Sequence, residues 1–110
     1  MKFPLSDSCG LGPALRVIGG RWKSVLIWEL HEGPVRFGEL RRRAPGISEK
    51  VLMQQLRELE ADGVVSRHVV REKPLWVEYE LTPAGQKLND AVHTLALWGQ
   101  EHAPSHARTG

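Results

Sequence analysis

A single cysteine, Cys9, stands among the 110 residues, so the chain cannot close a disulfide on itself or assemble a zinc-binding cysteine set. No apolar stretch approaches the roughly 18 residues that cross a membrane. Near the start of the chain the longest apolar run is the four-residue VLIW, too short for the apolar region of a signal peptide. These absences predict a cytoplasmic protein with no membrane partner. The sequence also lacks a Gly-rich phosphate loop and a nucleophile elbow. His31, His68 and His93 lie in three separate segments, while Pro104 interrupts the helical spacing of His102 and His106. Glu78 and Glu80 share one side of a strand without any acid–base partner. The expectation is a protein that is not an enzyme and needs no metal or cofactor.

What remains is ordinary globular material. Apolar residues make up 41% and charged residues 25% of the chain, enough for one domain with its own core. The net charge is +2 and the isoelectric point near 9.0, a mild basic lean. Its distribution says more: Arg41, Arg42 and Arg43 are consecutive, whereas acids gather at Glu58, Glu60 and Asp62.

Glycine and proline cut the chain into short elements. Pro13 starts a first helix that Gly19 and Gly20 stop, with Leu11, Leu15 and Ile18 along one side. A second helix carries Trp22, Val25, Leu26 and Leu30 at helical spacing, and Gly33 and Pro34 follow it. A short third helix covers Phe37 to Ala44, turned inward by Phe37 and Leu40. Ser48 then caps a fourth helix, Glu49 sits in its first turn, and Gly63 ends it. Residues 64 to 70 and 76 to 81 read as two strands of a hairpin, with Val77, Tyr79 and Leu81 on one side of the second. Thr82 and Pro83 open a last helix that runs to about Gln100. The expected domain is single, with its core over about 9 to 100 and a frayed tail over 101 to 110.

A short helix, a tight turn and a longer helix form a helix-turn-helix, and the hairpin directly after it is a wing. With Leu52 at zero and about 100° per residue, Leu56 and Leu59 fall beside it, while Lys50, Arg57 and Gln54 lie near 160°, 140° and 200°. That opposite face suits the major groove, where Gln pairs with adenine and Lys reaches guanine or phosphate. Ser48, Lys50, Gln54 and Gln55 are the candidate base readers, although Gln55 lies near the edge of the apolar stripe; Glu49 and Met53 are neighbours. Arg41, Arg42, Arg43 and Arg57 are candidates for the DNA backbone, where contacts fix register without reading sequence. Arg67, Arg71 and Lys73 are the wing's candidates, with Glu78 or Glu80 expected to neutralise Arg67 across the hairpin.

Through Cys9, ALRVIGGRWKSVLIWEL (14 to 30), GPVRFGELRRRAPGIS (33 to 48), LMQQLRELEADGVV (52 to 65) and VEYELTPAG (77 to 85), the chain resembles the HxlR-type winged helix-turn-helix transcriptional regulators of the wider MarR-like group. The likeness implies a mainly α protein with a small β-hairpin wing, acting as a homodimer on a pseudo-palindromic site in double-stranded promoter DNA. Several members of that family sense quinones, aldehydes or oxidants through a cysteine at the place of Cys9. A thiolate near a helix N-terminus is stabilised, which suits such a role.

Leu15, Ile18, Leu88, Val92, Leu95 and Trp98 form the expected dimer seam on the first and last helices, with an intramolecular core face as the alternative. Trp28 also lies off the buried stripe and suits an interface. Two other readings stay open on sequence alone. One is a winged helix that docks proteins; the other is a DNA-binding regulator with an inert Cys9, controlled by a small-molecule effector.

Overall fold

The computed structural model describes residues 9–104. The expected frayed tail therefore lies partly outside the described residues, as does His106. Five helices and three strands follow in the order α1 (Leu11–Ile18), α2 (Lys23–Glu29), β1 (Val35–Arg36), α3 (Phe37–Arg43), α4 (Glu49–Ala61), β2 (Val65–Glu72), β3 (Leu75–Leu81) and α5 (Pro83–His102). The strand β1 was not expected. It pairs antiparallel with β3, Val35 opposite Tyr79 and Arg36 opposite Glu78, and makes a three-stranded sheet in the order β1-β3-β2. At two residues it is too short to leave an alternating pattern in the sequence.

The caps form as their residue types dictate. Ser48 Oγ accepts a hydrogen bond from the Val51 amide at 3.1 Å, and Thr82 Oγ1 accepts one from Gly85 at 3.0 Å, with Pro83 in the first turn. Gly63, at φ +76°, takes the left-handed position that releases the chain from α4 toward β2. Helix α5 continues through His102, slightly past the expected end.

Leu52, Leu56 and Leu59 of α4 are fully buried and meet Leu26 and Ile27 of α2, Leu30 at its C-cap, Leu40 of α3, and Val65, Tyr79 and Leu81 of the sheet in one core. The buried side of α2 differs from the expected one. Val25 is exposed, whereas Ile27 is buried and so is Lys23. Ile18 and Leu88 are half-buried against this same core. Helix α3, the turn through Gly46 and helix α4 form the helix-turn-helix, and β2 and β3, joined through Lys73 and Pro74, form the wing.

Candidate nucleic-acid interface

Helix α4 buries its leucine stripe, and the opposite side is therefore left to solvent. Lys50, Gln54 and Arg57 are exposed on it, while Gln55 and Met53 are half-buried at its edges. Neither Lys50 nor Arg57 meets a carboxylate among the described residues. Ser48 is exposed at the start of the helix, where its oxygen is engaged as the cap. Gln54 Nε2 donates to Glu58 Oε2 at 2.6 Å. Glu58 also accepts from the buried Lys23 ammonium of α2. Those two hydrogen bonds, Lys23 first, hold the Glu58 carboxyl below its ordinary value.

The three consecutive arginines divide by role. Arg42 and Arg43 both donate to Glu39, one turn earlier, and Arg43 Nη1 also reaches the Glu29 carbonyl at 3.2 Å. That contact ties α3 to the C-terminal end of α2. Arg41 instead points toward the start of α4, 4.0 Å from Glu49. Arg41 is thus the one whose position borders the candidate reading face.

Hydrogen bonds from Arg42 and then Arg43 hold the Glu39 carboxyl below its ordinary value of 4.5. A lowered folded-state value means that the contribution to stability is complete above the unfolded value and is lost as pH falls through the folded one. Glu39→Gln should therefore lower the urea midpoint at pH 7. The gap to the wild type should close on acidification below about 4.5. A gap that persists unchanged at pH 3 would show that the Glu39 charge is irrelevant.

In the wing, Arg67 lies opposite Tyr79 across the β2–β3 ladder. Directly opposed residues share a face, so Glu78 and Glu80, one position away on either side, project from the other face. The expected neutralisation of Arg67 consequently does not occur: Glu80 contacts His68 at 2.9 Å and Glu78 accepts from the Trp76 indole. Arg67 instead lines a cleft of about 530 Å³ between α4 and the sheet, with Arg57, Arg36 and Met53. Arg71 lies 5.2 Å and Arg36 4.3 Å from the Trp76 ring, close enough for cation–π attraction. Lys73 is exposed at the tip of the hairpin.

Away from this face, Leu15, Leu95 and Trp98 are exposed, and Val92 is half-buried. Leu11, Val25, Trp28 and Leu97 are exposed as well, so large apolar side chains face solvent on α1, on α2 and on the C-terminal half of α5. Between α2 and α5 lies a groove of about 440 Å³. Trp28 stacks there on His93 at 5.5 Å, and on His31 at 4.1 Å. Cys9 is exposed and carries a free thiol just before α1. No helix among the described residues is long and apolar enough to cross a membrane.

Sequence reasoning overlooked Lys23 and Arg36. Lys23 shares its buried side of α2 with Leu26, Ile27 and Leu30, at spacings of three, four and seven. That spacing tied Lys23 to whichever side carried Ile27, although VLIW is apolar all round and left the choice of side open. Arg36 had no such signal, because its place follows from the pairing of β1 with β3.

A family model described as HxlR-like helix-turn-helix matches residues 17–107. An uncharacterized HTH-type transcriptional regulator of Bacillus subtilis, YybR, is 42% identical over 100 residues, covering 91% of this chain and 80% of that protein. Among solved structures, the redox regulator HypR in its reduced form is 43% identical. It superposes with a TM-score of 0.79 over 84% of this chain and 91% of its own. The reduced form of the regulator YodB from B. subtilis, 32% identical, gives a TM-score of 0.79 over 96% of this chain and 98% of its own. With the helix-turn-helix and wing already in place, these likenesses settle the assignment: the chain belongs to the HxlR-like helix-turn-helix family of transcriptional regulators.

Proposed function

We propose that the protein acts as a homodimer that seats α4 of each protomer in successive major grooves of a pseudo-palindromic promoter site. The observation that carries this reading is the exposed face of Lys50, Gln54 and Arg57, whose cations have no carboxylate partner among the described residues. Ser48, Lys50, Gln54 and Gln55 read or approach base edges, and Arg41 and Arg57 take backbone phosphates. Arg42 and Arg43 hold α3 in place and contribute positive potential. The wing offers Arg67, Arg71 and Lys73 to the neighbouring backbone or minor groove. The apolar surface of α1 and α5 supplies the dimer contact.

Cys9 is the regulatory group in this reading. Its thiol is exposed, and HypR, similar over most of the chain, is described as a redox regulator. With one cysteine per chain, a disulfide formed by Cys9 joins two protomers. Two thiols then give two electrons and two protons to the oxidant. Such a bond changes the spacing of the two α4 helices, and a difference of about 2 kcal/mol between states alters occupancy roughly thirtyfold.

The test is fluorescence anisotropy on the gene's own upstream DNA and on a scrambled sequence, at two salt concentrations, before and after diamide. Specific binding should weaken with salt at a log–log slope near −0.9 per phosphate neutralised. Lys50→Ala combined with Gln54→Ala should weaken it roughly tenfold or more. Diamide should abolish or shift binding by the wild type and leave Cys9→Ser unaffected. Absence of binding to either DNA at low salt sinks the DNA reading, and equal diamide sensitivity of Cys9→Ser removes the thiol from it.

A further inference from the structure

We infer that Lys23 and Glu58 are positioning residues that set the hydrogen-bonding edge of Gln54, and thereby make α4 prefer adenine at one base pair of each half-site. This inference rests on the DNA-binding reading above and concerns how that face reads sequence.

The geometry is a relay of three side chains. Lys23 is 8% exposed, and a buried ammonium requires a partner of opposite charge. Its Nζ lies 2.5 Å from Glu58 Oε1, a contact that joins α2 to α4. That contact fixes the rotamer of the carboxylate. Glu58 Oε2, the oxygen not used by Lys23, accepts from Gln54 Nε2 one helical turn earlier. Held by Lys23 and ionised, Glu58 is an acceptor only. Gln54 must therefore turn its NH₂ group toward Glu58, because the opposite orientation would set two acceptor oxygens against each other.

The orientation of an exposed glutamine amide is ordinarily free, and a free amide offers donor and acceptor to either side. Here one Nε2 hydrogen is taken. Gln54 keeps Oε1 and its second N–H for an incoming base, in a fixed order along the helix. An adjacent acceptor and donor match N6–H and N7 of adenine. Guanine presents two acceptors, N7 and O6, at the same place. The fixed amide oxygen opposes one of them. Lys23 touches no DNA in this arrangement, since it lies beneath the reading face; its influence on base choice passes entirely through Glu58.

Competitive selection from randomised double-stranded DNA, followed by sequencing of the bound fraction, reads this directly. Gln54→Ala should flatten the base preference at one position per half-site by roughly 5- to 20-fold. Lys23→Met should flatten the same position and spare the others. Gln54→Ala in the Lys23→Met background should add nothing further there, the signature of coupling between residues that do not touch. Lys23→Arg, which keeps the ion pair, should restore the preference. A fold defect in Lys23→Met would show in its thermal melt. In that case Glu58→Asp keeps a carboxylate for Lys23, withdraws it from Gln54, and should flatten the same position.

A wild-type base profile in Lys23→Met or Glu58→Asp, at a position that Gln54→Ala changes, overturns the relay while leaving the DNA reading intact. Loss of preference spread evenly over every position also overturns it, since that is the mark of general destabilisation. Selection of no sequence by the wild type overturns the relay together with the reading it rests on.

Discussion

Replacing Gly85 by alanine should lower the melting temperature by roughly 10–20 °C at fixed protein concentration. Gly85 lies in the first turn of α5, where the chain crosses the carbonyl that leads into β2. A Cβ built on it meets the Val64 carbonyl oxygen at 2.1 Å and Leu81 Cβ at 3.2 Å, whereas real Cβ atoms essentially never come under 3.0 Å. The Val64 oxygen cannot retreat easily. It accepts the Thr82 amide at 3.0 Å and the Thr82 hydroxyl at 3.2 Å, and that hydroxyl also donates to Gly63. The same hydroxyl caps α5 through the Gly85 amide. Opening the clash therefore strains the cap, the end of α4 and the start of β2 together. Two effects oppose each other. Alanine favours a helix over glycine by at most about 1 kcal/mol, while overpacking against fixed backbone costs about 3 kcal/mol or more. The clash wins, and the net loss is about 2–4 kcal/mol. Gly38→Ala is the control. Its Cβ meets nothing within 4 Å, so its melting temperature should hold or rise slightly. A Gly85→Ala melt within about 3 °C of the wild type would show that α5 and the Val64 carbonyl separate without cost.

How far such features can be read from residues alone depends on whether their causes are local. The limits of α4 were legible because Ser48, Glu49 and Gly63 act within one turn of themselves. The stripe of Leu52, Leu56 and Leu59 needed only the helical period. Thr82 and Pro83 announced α5 for the same reason. The buried side of α2 was misjudged at Val25 and Ile27 because VLIW is apolar on every side, so periodicity has nothing to select with. Packing against α4 and α5 makes the choice. Arg67 was assigned a carboxylate partner that parity forbids, since its face is set by the register Arg67 opposite Tyr79. That register depends on a bulge between Val69 and Arg71 and on a third strand. Glu58, the partner of Lys23, lies 35 residues away. The exposed residues of α4 were legible from the helical period, while the Lys23–Glu58 contact was not, because it crosses between helices.

Leu95→Glu combined with Trp98→Glu should turn the protein into a folded monomer and reduce its affinity for promoter DNA at least ~100-fold. Both side chains are more than half exposed in the protomer, at 56% and 57%. The substitutions therefore leave its core intact. A helix that is apolar on more than one side is normally buried on more than one side. On the C-terminal half of α5, Leu95, Leu97 and Trp98 are all exposed, and Leu97 shares a groove with the exposed Val25 and Trp28 of α2. Contiguous apolar surface of this kind is rare on a monomer and typical of an interface. In a two-fold dimer each substitution acts twice. Burying each large apolar side chain contributes about 1.5–3 kcal/mol, and four carboxylates placed there would both forfeit that gain and repel one another. The DNA effect follows from geometry. In the proposed dimer two α4 helices about 34 Å apart enter successive grooves on one face of the duplex, so the first contact raises the effective concentration of the second to millimolar levels. A monomer loses that advantage while keeping every base contact. Analytical ultracentrifugation should report half the wild-type mass with an unchanged far-UV circular dichroism spectrum, and anisotropy should report the loss of affinity. A variant that remains dimeric places the interface elsewhere. A monomer that binds DNA as tightly as the wild type removes the need for two-fold recognition.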